Sequence, residues 1–121
     1  MLNFAINIFY QDMKPCLLFL SCKNIEEADK ISFKLLEKRL VVCAKKIKIN
    51  SNYLWGNKIE SSKEVLLIMD STEENFDKID QEVEKLHSYK VYNLVMTKVY
   101  KINNNSLKWL QETMLHPNVT V

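Results

Sequence analysis

The chain contains a single glycine and two prolines in 121 residues. That scarcity excludes the glycine-rich loops that cradle nucleotide phosphates, because each needs several glycines at fixed spacing. No G-x-S-x-G or H-E-x-x-H occurs, and no nucleophile is paired with a base; nothing in the sequence makes a case for an enzyme. No apolar run approaches the ~20 residues that cross a bilayer. Residues Phe4 to Tyr10 are apolar, but no Lys or Arg precedes them, which argues against a secretory signal. Neither charge sign dominates. Seventeen basic against fifteen acidic residues leave a formal charge of +2, too small an excess for a nucleic-acid surface or an anionic membrane. The cysteines number three, an odd count, with no C-x-x-C. Cys16 and Cys22 lie six residues apart on one predicted strand, roughly 20 Å, too far for a disulfide. Reduced thiols point to a cytoplasmic compartment.

What is present fits one soluble domain: 47% of residues are apolar and 26% charged. Residues 1–15 read as an N-terminal extension or an extra edge strand, and 16–121 as the domain. Cys16 to Cys22 is an apolar run suited to a strand covered on both faces. Asn24 caps a helix, with Glu27 at the capping-box position. Ile25, Ala28, Ile31 and Leu35 then recur at helical spacing, and Leu36 and Leu40 widen the stripe.

From Val41 the period falls to two. Ile47, Ile49, Tyr53 and Trp55 alternate with polar residues up to a Gly56-Asn57 hairpin turn, and the return strand runs Lys58 to Met69. Each strand is about a dozen residues, double the usual length of ~5–6. Ser71 or Thr72 caps a second helix carrying Phe76, Ile79, Val83 and Leu86. Val91 to Tyr100 is the last strand. A short helix then turns Leu107, Leu110 and Met114 inward, and Pro117 follows it.

The order predicts an α+β fold: a ferredoxin-like βαββαβ sandwich with a long hairpin and a C-terminal helix. Its four-stranded sheet carries two helices on one face, and the other face lies bare in a monomer. A sheet apolar on both faces needs a second cover, and self-association supplies one. The alternative cover is the N-terminal segment together with the last helix. RNA-recognition modules share this order, but they stack bases on aromatics of the third strand. Here that strand reads Ser62-Lys63-Glu64-Val65-Leu66-Leu67-Ile68-Met69, without an aromatic.

Five pieces stand in register: Cys43; Ser51-x-Tyr53-x-Trp55; Lys58-Ile59-Glu60 followed by Glu64-Val65-Leu66-Leu67; Leu86-His87-x-Tyr89-x-Val91; and Leu107-x-Trp109. Together they resemble the CutA divalent-cation tolerance family over about residues 16 to 115. The resemblance implies a tight homotrimer shaped like the PII signalling proteins. It implies no enzymatic activity, and a link to tolerance of copper or another divalent cation. The family pattern places two prolines and a glutamate at the helix-to-strand junction, where this chain has Ser88, Tyr92 and Asn93. The runner-up function is a PII-like regulatory sensor that holds a small ligand between subunits.

The candidate residues follow. Cys43 is either a soft-metal ligand or a small packed side chain. His87 is either an imidazole ligand or a histidine held by the end of its helix. Glu60 could complete a site if the fold or a neighbouring subunit brought Cys43 and His87 together. Tyr53, Trp55 and Ile49 are the expected interface anchors. Tyr89, Tyr92 and Trp109 are candidates for an inter-subunit cleft; the alternative is local packing. Lys45, Lys46 and Lys48 make either an anion site or a solvated strand face. His116 is expected in a solvated tail. The only partner implied is the chain itself.

Overall fold

The structure, a computed structural model, describes residues 13–115. Expectations for the extension up to residue 12, His116 and Pro117 lie outside the described residues. The element order is β1 (Pro15–Cys22), α1 (Ile25–Glu37), β2 (Cys43–Trp55), β3 (Lys58–Thr72), a 3-10 turn (Glu73–Asn75), α2 (Phe76–Leu86), β4 (Leu94–Lys98) and α3 (Asn104–Leu115). All strand pairs are antiparallel in the order β2-β3-β1-β4. This is the expected ferredoxin-like α+β arrangement.

Alternation sets the two faces. Cys16, Leu18, Leu20 and Cys22 of β1 are buried, as are Val65, Leu67 and Met69 opposite them. Ala28, Ile31 and Leu35 of α1 and Ile79 and Val83 of α2 pack on that face and close the core. Each buried Val, Leu, Ile or Met of this core contributes about 1.5–3 kcal/mol. The opposite face carries Leu17, Phe19, Leu66, Ile68, Ile47 and Val95, and none of them is buried. Ile47 and Val95 keep 48% and 45% of their surface. The apolar face therefore stays open within the described residues.

Asn24 caps α1 as expected, accepting from the Glu27 amide at 2.9 Å. The Glu27 carboxylate reaches back to the Lys23 amide rather than to that of Asn24. Ile25, expected in the stripe, is exposed instead. At the far end, Arg39 sits at φ 55°. The Leu40 amide bonds the Leu35 carbonyl and the Arg39 amide that of Leu36, the double bond of a Schellman cap. In a chain with one glycine, arginine fills the position glycine usually takes. The lone glycine, Gly56, takes the hairpin tip at φ 62°, and β2 and β3 pair without a break from Cys43–Asp70 to Trp55–Lys58.

Two expectations are corrected. Neither Ser71 nor Thr72 caps α2. Both lie in β3, which runs three residues past Met69, and a 3-10 turn intervenes. The Ser71 hydroxyl donates to the Leu40 carbonyl at 2.5 Å, and Thr72 Oγ1 accepts from the Asn75 amide group at 3.2 Å. Ser71 thus fastens the loop after α1, and Thr72 the 3-10 turn that follows it. The last strand runs Leu94–Lys98, shorter at both ends than the expected Val91 to Tyr100. The His87 ring occupies the Ser21 carbonyl, and the β1–β4 ladder stops at Leu20–Leu94.

Candidate functional site

The α2–β4 junction is held by His87, whose side chain is fully buried. Its Nδ1 accepts from the Tyr89 amide at 3.0 Å, so Nε2 carries the proton and donates to the Ser21 carbonyl at 2.8 Å. The ring stacks on Tyr92, with centroids 5.3 Å apart, and meets Tyr89 at a tilt. The Tyr92 hydroxyl donates to Asp80 Oδ1 at 2.5 Å. Burial, and then that hydrogen bond, push the Tyr92 phenol up to about 12. Tyr89 turns the other way and donates to Glu64 Oε2 at 2.8 Å. Burial and then Glu64 raise its phenol above the ordinary value.

Glu27 ties this junction to α1. One of its oxygens accepts the Lys23 amide at 2.9 Å and the other the Ser88 amide at 2.8 Å. Burial opposes ionisation of Glu27, but these hydrogen bonds outweigh it and hold the carboxyl below its usual value.

Cys22, Glu27 and His87 place ligand atoms within 4.8 Å of one another, as a metal set would. Their chemistry does not fit an ion. Burial, then the Glu27 and Glu64 charges, push the Cys22 thiol up to about 12, so Cys22 packs here as a protonated thiol. Both His87 nitrogens and both Glu27 oxygens are already hydrogen-bonded. The cluster is a structural knot.

The expected Cys43, His87 and Glu60 set is not assembled within one chain. Cys43 pairs with Asp70, whereas Cys22, beside His87, pairs with Val65. Five residues along β3 separate them, about 17 Å. Glu60 lies farther out, opposite Tyr53. Cys43 is half-exposed on the open face. Lys46 pairs with Asp29 and Lys45 with Asp70, so two of the three lysines on β2 are neutralised.

The arm of β2 and β3 and the loop after α2 enclose an open cleft of about 740 Å³. Tyr53, Trp55, Glu60, Glu64, Tyr89 and Lys90 line it. Of the aromatics expected in an inter-subunit cleft, Tyr89 lines this cleft of the single chain. Tyr92 instead faces α2, and Trp109 lies on α3, outside the lining. Ile49 pairs with Glu64 on the open face, and Tyr53 and Trp55 stay 43% and 62% exposed. Sequence reasoning missed the second role of Glu27, because Ser88 is sixty-one residues away. It also passed over Glu64. The one available signal was a carboxylate opening the apolar block Val65–Met69.

Residues 16–113 match the family described as CutA1 divalent ion tolerance protein. The chain is 35% identical over 99 residues to the divalent-cation tolerance protein CutA of Thermotoga maritima, covering 82% of this chain and 98% of that one. Among solved structures, the periplasmic divalent cation tolerance protein CutA of Archaeoglobus fulgidus superposes with a TM-score of 0.81 at 29% identity, over 83% of this chain and 98% of that one. CutA1 of Pyrococcus horikoshii superposes at 0.77 with 30% identity, over 80% and 95%.

Proposed function

The chain belongs to the CutA1 divalent ion tolerance family, and from that premise we propose that it acts in the tolerance of divalent metal ions, copper among them, as a non-enzymatic homotrimer. The observation that carries the reading is the open apolar face. Leu17, Phe19, Ile47, Leu66, Ile68 and Val95 lie on one side of the sheet, and the hairpin arm extends that side with Tyr53 and Trp55. An apolar surface of this extent marks an association site. Two sister subunits in a closed ring would cover the face and the arm of each third. Three free thiols support a cytoplasmic setting.

With the His87 knot closed to ions, Cys43 is the thiol open to a soft metal. Reduced copper should raise the melting temperature of the native protein by mass action. The shift should vanish in Cys43→Ser. An undiminished shift in that variant would overturn Cys43 as the contact. A second reading, a PII-like regulatory sensor with a small ligand between subunits, is favoured by the cleft beside the arm.

A further inference from the structure

Glu64 is buried, with 8% of its surface exposed. Its hydrogen-bond partner is the Tyr89 hydroxyl. Among the described residues it makes no ion pair. A buried carboxylate normally has a cation beside it, because desolvating a charge is costly without one. Glu64 lines the cleft, so the missing charge can be supplied from there.

The rest of the lining says which cation. Glu60 projects from the same face of β3, four residues away, so the two carboxylates stand about 13 Å apart along the strand. One metal ion cannot bridge that gap, and a hard divalent ion wants six or more oxygens. Tyr53 and Trp55 stand on β2 opposite Glu60 and Lys58. Their rings attract organic ammonium groups by their π faces and cover methylenes by burial. Lys90 also lines the cleft but is exposed, so its ammonium can turn to solvent. The net charge of +2 supplies no long-range pull on cations; the attraction is local.

We propose that this cleft binds a linear aliphatic polyamine, one ammonium on Glu64 beside the Tyr89 hydroxyl and the other near Glu60, with the chain lying along Tyr53 and Trp55. The assignment rests on the sensor reading of the same cleft and names its ligand class.

The test is a spermidine titration of the full chain, followed by Trp55 fluorescence in a Trp109→Phe background. Magnesium chloride, butylamine, ATP and alanine are the comparison ligands. Spermidine should give a saturable change and bind about tenfold or more tighter than butylamine, since it engages two carboxylates. Glu64→Gln should weaken it by about the same factor. Glu60→Gln, at an exposed position that leaves folding intact, should bring spermidine down to the butylamine level. Spermidine affinity unchanged from the native chain in either the Glu60 or the Glu64 variant, or equal competition by magnesium, would overturn the proposal. A response to ATP or alanine without spermidine would overturn the polyamine assignment and leave the sensor reading standing. Silence with every ligand, as when a sister subunit's side chain fills the cleft, would overturn both.

Discussion

Replacing Glu27 by Gln should loosen the whole α1–α2 end of the sheet. The carboxylate accepts two backbone amides, that of Lys23 just before its own helix and that of Ser88 in the distant loop after α2, and is only 10% exposed. A hydrogen bond to a charged group contributes about 1.5–3 kcal/mol when buried, less at partial exposure. Glutamine keeps one acceptor oxygen and turns an N–H toward the other amide. The expected cost is about 2 kcal/mol at neutral pH, one charge-assisted bond plus a donor left facing a donor. The effect depends on pH in a defined direction. The folded state holds Glu27 below its ordinary value of 4.5. Its contribution is therefore complete above that value and disappears as pH falls through the lower folded-state value. Urea unfolding of both proteins at one protein concentration, stepped from pH 7 into acid, measures the difference. The gap should be widest at neutral pH and narrow in acid. A gap below about 0.5 kcal/mol at pH 7 would refute the bridge, as would one that does not change with pH, because the contact would then be worth no more than an exposed pair.

Further outcomes follow from the same structure. Alkylation of the native protein at mildly alkaline pH should label Cys43 alone, since Cys16 and Cys22 are buried and their thiols are pushed up to about 12; label on Cys22 in peptide mass spectra would contradict this. Tyr92→Phe removes the hydroxyl that donates to Asp80 and should cost about 1 kcal/mol in the same unfolding assay, with no loss contradicting the bond. Gly56→Ala meets no atom within 4 Å of the added Cβ, so its cost should be the left-handed backbone alone, about 1–2 kcal/mol. Leu18→Ala empties the centre of the core and should cost about 2–5 kcal/mol; a loss under 1 kcal/mol would place Leu18 elsewhere.

The sequence carried most of the fold because its signals are local. The Gly56 turn, the alternation through Tyr53 and Trp55, and the step from Phe76 to Leu86 each act within a few residues. The errors came from contacts between distant segments. Nothing near Val91 reveals that His87 has taken the Ser21 carbonyl and stopped the ladder at Leu94. Nothing near Ser71 shows that its hydroxyl is spent on Leu40. The site was less legible for the same reason. Composition put Cys43 and His87 forward as metal ligands, but the register of β2 on β3 sets them at opposite ends of the sheet. Cys22 and Glu27, which do meet His87, read locally as a core residue and a helix cap. Tyr53 and Trp55 read as interface anchors, and within one chain they stay exposed; that Glu64 sits buried beside them needed the fold.

Sedimentation equilibrium of the full chain at micromolar concentration tests the central proposal most directly. A homotrimer gives a mass three times the 14.3 kDa of one chain, persisting on dilution as a large apolar interface requires. A single-chain mass, with Tyr53 and Trp55 left in water, would contradict it.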